Sequence, residues 1–207
     1  MSRSLPLELE LAEADAWSSM WGDEAVSVGP AVVSRAPASG SLMLNRVQGL
    51  GIARAATEPD LDTIADLYGA TRHAIALAPS ARPGNLGAML AARGYSPGYA
   101  WVKFVRRTTA AEPVDTDLRV ELIGPALGPA FAGVVAQSFG IPQGVGPRLE
   151  DLPGRPGWSC YLAFAGDVPV AAGGLHVGPA GGWLGLGSTV PEYRRQGAQG
   201  AIMAARF

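Results

Sequence analysis

The residues best suited to chemistry lie at the end of the sequence, in "STVPEYRRQGAQGAIMAARF" from Ser188 to Phe207. Pro191 lacks the N–H that a strand ladder needs, so it ends a strand. Gly197 lets the backbone turn tightly and come close to a ligand. The N–H groups of Gln196, Gly197, Ala198, Gln199 and Gly200 then fall at or near a helix N-terminus. Such groups have no intrahelical acceptor, and the helix dipole adds to their attraction for an anion. Arg194 and Arg195 set two positive charges beside them. A phosphate or pyrophosphate is the natural guest. The alternative is a plain strand-to-helix turn with two solvated arginines. The turn is not a Walker loop, because it lacks the Gly-Lys-Ser/Thr ending. Nor is it a Rossmann fingerprint following a first strand.

Few other side chains offer chemistry. His176, in "GGLHVG", is a candidate base or substrate contact on a strand beside the turn. Glu150, with Asp151, lies in a long loop and could attract an amine. Solvated loop carboxylates are the alternative. Glu192 is expected to face solvent. His73 reads as structural, and Trp158 and Tyr161 read as core residues that could also wall a pocket. Two histidines and one cysteine make no metal cluster. Cys160 reads as a small apolar residue in a strand. Ser188 has no His-Asp partners in view, which argues against a serine hydrolase.

The whole composition sets bounds on this chemistry. The 207 residues allow one large domain or two small ones, and 48% are hydrophobic, enough for a packed core. The net charge of -2 suggests neither nucleic acid nor an anionic membrane. Lys103 is the only lysine. The opening "MSRSLPLELELAEADAW" scatters acids among apolar residues, unlike a signal peptide. No apolar run is long enough to span a membrane. A soluble, cytoplasmic protein is expected.

The elements that must position the turn fall into two halves. "RRTTAAEPVDTDLR" (Arg106 to Arg119) is polar and aperiodic and reads as a linker, which gives domains over 1–109 and 118–207 with a linker at 110–117. In the first half, Leu7 to Met20 is expected to be helical. "AVVSRAP" and "SLMLNRVQGLG" read as strands. Thr57 caps a helix with Asp60 at its third position, carrying Leu61, Ile64, Leu67 and Tyr68 at helical spacing. "HAIALAP" is a short buried strand, Asn85 caps another helix that stops near Gly94, and "YAWVKFV" (Tyr99 to Val105) is a last strand. In the second half, "LRVELIG" is a strand and Pro125 starts a helix with Leu127, Phe131, Val134, Val135 and Phe139 on one face. A Gly- and Pro-rich loop, Gly140 to Trp158, follows. "SCYLAFAGDVPVAAGGLHV" is a hairpin, and "WLGLGSTV" is the strand that delivers the turn. The whole reads as α/β, with mixed sheets.

"VPEYRRQGAQGAIMAAR" resembles the acetyl-CoA-binding motif of the GCN5-related N-acetyltransferase superfamily, whose pattern is Gln/Arg-x-x-Gly-x-Gly/Ala. Arg194 takes the first position and Gly197 the central one. Gln199 departs from the usual Gly or Ala, and a larger side chain there is expected to point away from the cofactor. Pro191, Tyr193 and Arg195 also fall in place. The resemblance spans roughly Asp117 to Phe207. It implies the acyl-CoA N-acyltransferase fold, acetyl-CoA as cofactor and a small-molecule or protein amine as acceptor. It implies that the turn holds the pyrophosphate through backbone amides, and that Ser188, Thr189 and Val190 pair with the pantetheine arm. It implies direct attack of the amine on the thioester, aided by an acid and a base that the sequence does not identify. A non-catalytic CoA-binding or scaffold protein, or an inactive truncated fragment, is the alternative.

The first half also looks related to such a domain, with "AARGY" similar to its helix-ending signature. After "LMLNRVQGLG", however, no Arg-x-x-Gly turn follows. The expectation is a tandem protein with a degenerate first domain and a cofactor-binding second one. By the same resemblance, the second domain would continue beyond Phe207 and is incomplete. The sheet edge left open predicts a homodimer, strand exchange or aggregation.

Overall fold

The computed structural model describes residues 5–106, 109–112, 114–142 and 147–207. Parts of three readings lie outside the described residues: the first four residues of the opening segment, positions 107, 108 and 113 of the linker region, and 143–146 of the long loop. The chain forms two compact units, one built on the residues up to Lys103 and the other on those from Phe104 onward. Among the described residues, no helix is long and apolar enough to cross a membrane.

The first unit runs α1 (Leu5–Trp21), β1 (Val26–Val28), β2 (Ala31–Ser34), β3 (Arg46–Gln48), α2 (Glu58–Tyr68), β4 (Ala74–Ile75) and α3 (Leu86–Ala92). Its strands lie in the order β1-β2-β3-β4, antiparallel except for the parallel β3/β4 pair. Alternation puts Val33 and its partner Val47 on one face. There they join Leu61, Ile64, Tyr68, Leu86 and Leu90 in one core. The opposite face, with Arg46 and Gln48, meets α1.

The capping box at Thr57 forms as expected: the hydroxyl accepts from the Asp60 N–H, and the Asp60 carboxylate accepts from the Thr57 N–H at 2.8 Å. Other expectations need correction. The strand read from "SLMLNRVQGLG" shrinks to Arg46–Gln48 because Asn45 holds the preceding residues in a turn, accepting from Ala36 N–H and donating to Ser39 O, both at 2.8 Å. Strand β4 is two half-buried residues, not a buried strand. Asn85 precedes α3 but its side chain caps nothing. The short strand β1, joined to β2 by the Gly29-Pro30 turn, has no counterpart among the expected elements. Tyr99–Val105 forms no strand. Its alternate side chains serve the unit in another way: Trp101 covers the Arg46 guanidinium at 3.8 Å, and Lys103 pairs with Glu10 and Glu13 at 2.6 and 2.5 Å.

The second unit runs β5 (Arg119–Ile123), α4 (Gly128–Phe139), β6 (Trp158–Ala165), β7 (Val168–Gly178), β8 (Gly181–Thr189) and α5 (Ala198–Ala205), with the strands in that spatial order. Single 3₁₀ turns at Pro125–Leu127, Leu149–Asp151 and Pro191–Tyr193 precede or link these elements. The β6/β7 hairpin turns at Gly166 and Asp167, as the sequence predicts. On one face of the sheet, Ala163 and Ala171 pack against Ala198 and Ile202 of α5. Small residues set the spacing: a Cβ on Gly173 would lie 2.6 Å from Ile202. The expected stripe on α4 holds only at its centre. Phe131, Val134 and Val135 are buried, whereas Leu127 sits out of phase in the 3₁₀ turn and Phe139 overhangs at the helix end.

Candidate functional site

The strand β8 ends at Thr189, and Pro191 opens a single 3₁₀ turn that redirects the chain. Arg195 and Gly197 both take left-handed backbone, with φ of 62° and 81°. Alternating hands of backbone gather successive N–H groups into a concave donor surface. Gly197 is the N-cap of α5 and brings no side-chain cap, so nothing of its own occupies the first N–H groups. A second reason favours glycine there. Residues 114–116 cross the turn, and a Cβ on Gly197 would meet the Asp115 carbonyl at 3.2 Å. Thr116 Oγ1 fixes this crossing by donating to Gln196 O at 2.8 Å. Arg194, Arg195, Gln196 and Gly200 are exposed. The Arg194 Nε donates to Thr189 O at 3.3 Å, which ties the guanidinium to the strand end.

A cleft of ≈ 350 Å³ opens beside this turn, lined by Ser138 and Phe139 of α4, Gly187, Ser188 and Thr189 of β8, Arg194 and Gln199. Gln199 does not point away. Its Nε2 donates to Ser188 O at 2.7 Å and to Thr189 Oγ1 at 3.0 Å, laying the side chain along the strand end. Carbonyls cannot donate, so these partners also fix which amide atom faces them. Gly187 makes room: a Cβ there would lie 2.8 Å from Gln199 Oε1. Ser188 is 4% exposed, and its hydroxyl, like that of Ser138, is buried without a hydrogen-bond partner among the described residues. Buried hydroxyls are ordinarily satisfied, so these two are unpaired polar atoms beside the cleft.

The strand that carries the cleft is distorted. Leu186 has φ of 55°, a left-handed conformation costing about 1–2 kcal/mol for a residue with a side chain. Arg206, at the end of α5, braces the distortion. Its guanidinium is buried and donates to Gly174 O at 3.0 Å and Gly185 O at 3.3 Å. Burial lowers its pKa from the ordinary arginine value. Ser138 and Phe139 line the cleft and Arg206 braces the strand that carries it, although no motif in the sequence marks them.

The other candidates lie elsewhere. His176 is buried against Trp158, ring centroids 5.1 Å apart, and pairs with it in register. It sits six residues along β7 from Val170, the residue that bonds Val190, a separation of about 20 Å at 3.3 Å per residue. Glu150 pairs with Arg148 at 3.5 Å and lines a different cleft, with Pro125, Pro129 and Arg155. Asp151 pairs with Arg148 at 3.2 Å. Glu192 is exposed on the turn. Cys160 is 1% exposed, and burial pushes its thiol up to about 12. Among the described residues, no three His, Cys, Asp or Glu side chains converge as a metal site.

With this geometry in hand, comparison with solved structures identifies the architecture. A GCN5-related N-acetyltransferase from Kribbella flavida matches 99% of the chain and 80% of its own length, with a TM-score of 0.61 at 15% identity. The chain therefore has a mixed α/β structure with the fold of the GCN5-related N-acetyltransferases. An acetyltransferase assigned in Pyrococcus horikoshii matches with TM-score 0.35 and 19% identity over 47% of the chain, and an aminoglycoside acetyltransferase from an uncultured soil metagenomic sample, in complex with sisomicin, with 0.37 and 14% over 42%. The chain spans 36% and 66% of those two proteins, and the fold assignment rests on the Kribbella flavida match alone. No family model and no curated protein matches the sequence.

Proposed function

We propose that the protein is a tandem chain whose second unit binds acetyl-CoA and transfers its acetyl group to an amine within a ternary complex. The observation that carries this reading is the uncapped N-terminus of α5 at Gly197, set beside a cleft with two unpartnered hydroxyls. Those features fit a ligand with a polyanionic end and an amide-bearing arm. The N–H groups from Gln196 to Gly200 would hold the pyrophosphate, with Arg194 and Arg195 supplying charge. Ser188, Thr189 and Val190 would orient the arm. When bound, acetyl-CoA supplies an activated acetyl group. The protein's own contribution is then to hold the acceptor in line and keep the cleft shielded.

The first unit supports a different role. Where its helix α2 begins, the N–H groups meet Thr57 and the Asp60 carboxylate, and Arg54 clamps that carboxylate at 2.7 Å through two nitrogens. An internal anion already fills the place a phosphate would take. This favours a silent first unit.

One observation favours a second reading, a CoA-binding protein without turnover: no carboxylate or imidazole lines the cleft among the described residues. Calorimetry with acetyl-CoA separates either reading from none. Gly197→Val should abolish the heat, since valine at φ of 81° is strained and crowds the Asp115 carbonyl. Unchanged heat would sink the assignment, provided the variant melts as the wild type does. Release of CoA thiol in the presence of amines separates the enzyme from the binder.

A further inference from the structure

Two side chains of α5 tie β7 to β8, one on each side of the kink at Leu186. Gln199 Nε2 donates to Ser188 O of β8 at 2.7 Å and reaches Ala172 O of β7 at 3.4 Å. Arg206 Nη1 donates to Gly174 O of β7 at 3.0 Å and to Gly185 O of β8 at 3.3 Å. Seven positions are about two helical turns, so the two side chains share one face of the helix. Between them Ile202 presses on β7, where a Cβ on Gly173 would lie 2.6 Å away. Arg206 is buried, and its oxygen partners among the described residues are backbone carbonyls, with no carboxylate. A buried cation without a counter-ion is costly, and stability alone would be better served by an apolar side chain. The kink gives it a task. Gly185 O lies in the same peptide plane as the Leu186 nitrogen, so the direction of that oxygen sets φ at Leu186. By holding the oxygen, Arg206 holds Leu186 at φ of 55°, against the preference of a residue with a side chain. Strain that a buried brace keeps in place is expected where it shapes a site.

We propose that Arg206 is a positioning residue for acetyl-CoA. It fixes the course of β8 through Leu186, so that Ser188, Thr189 and Val190 meet the pantetheine arm while the Gly197 turn holds the pyrophosphate. The inference rests on the acetyl-CoA reading above. The two parts of the cofactor then depend on Arg206 to different degrees. The turn is held from another side, by Thr116 through Gln196 O, and Arg206 does not touch that contact. The strand end takes its direction from the kink two residues before Ser188. Loss of Arg206 therefore loosens the grip on the arm and spares the grip on the pyrophosphate. Glycine adopts left-handed backbone without a steric penalty, so Leu186→Gly should make the kink independent of its brace.

The test titrates two ligands into the full chain, acetyl-CoA and ADP, and follows backbone amides by NMR. ADP carries a diphosphate and no pantetheine arm. In the wild type, acetyl-CoA should shift Leu186 and Gly187 together with the turn, and ADP should shift the turn alone. Silence at Leu186 and Gly187 with acetyl-CoA bound overturns the inference without any variant. Arg206→Met should bind acetyl-CoA about tenfold more weakly, the scale of a hydrogen bond from a charged group, and ADP within about twofold of the wild type. Adding Leu186→Gly to that variant should recover most of the loss, which a merely structural arginine would not allow. Unchanged acetyl-CoA binding, equal loss for both ligands, or no recovery with Leu186→Gly overturns the inference and leaves the acetyl-CoA reading standing. A wild type that binds no acetyl-CoA in its second unit overturns the reading itself.

Discussion

Gly197 is required twice, once by its left-handed backbone and once by the chain that crosses it at Asp115. That is why the turn is legible in the sequence: a glycine between a strand-ending proline and a helix marks a place where the backbone must turn tightly. Its neighbours are less legible. Arg195 shares the left-handed conformation without being glycine, and nothing in its identity announces that. Ser138 is one hydroxyl in a helix, which carries no pattern until α4 is placed beside β8. Replacing a small residue by a larger one predicts an outward-turned Gln199, but a free strand end with two acceptors draws it inward. Gln199→Ala should therefore cost about 1 kcal/mol by thermal or urea melting, the net worth of such a hydrogen bond. Gln48 offers the opposite case. It is 3% exposed and both its amide atoms lack partners among the described residues. Gln48→Leu should be neutral or stabilising, by up to about 1–2 kcal/mol in the same melts, because it removes an uncompensated desolvation.

Among the elements, α2 and α5 make the sharpest contrast. Both follow a strand, yet one begins under its own carboxylate and the other has no side-chain cap, with residues 114–116 lying across Gly197. Asp60 is held well below the usual carboxylate range, first by its hydrogen bond from Arg54, against an opposing desolvation, and then by the bonds from Thr57. A depressed folded pKa gives stability that is present above the unfolded value, about 3.9, and is lost as pH falls below it toward the folded value. The wild type should lose its margin over Asp60→Asn between about pH 5 and pH 2, read by chemical denaturation across that range. A margin that widens on acidification would contradict this. Thr57→Ala should cost about 1 kcal/mol through the lost cap, measured in the same way. The helices are legible because caps and spacing are local signals. Tyr99–Val105 looks like a strand and is not one, because alternation shows which residues face inward and not whether a neighbouring strand exists. Trp101, still half exposed, lies against Arg46 and Lys103 pairs with Glu10 and Glu13, while Val102 and Phe104 stay exposed at 75% and 91%. The distortion at Leu186 and its brace, Arg206, depend on packing between α5 and the sheet and have no local signature.

At the scale of the molecule, the two units each set helices against a four-stranded sheet, and α2 of the first carries a carboxylate at its N-terminus that α5 of the second lacks. Strand β8 lies at the edge of its sheet among the described strands. Edges of this kind favour pairing between copies, so light scattering should show self-association that rises with concentration. The central claim is that acetyl-CoA binds the second unit at the Gly197 turn and not the first unit at α2. Backbone NMR with acetyl-CoA tests it most directly. The account predicts saturable shifts at Gln196–Gly200 and Ser188–Val190 with Thr57–Asp60 unmoved. Shifts centred on Thr57–Asp60, or none at the Gly197 turn, would contradict it.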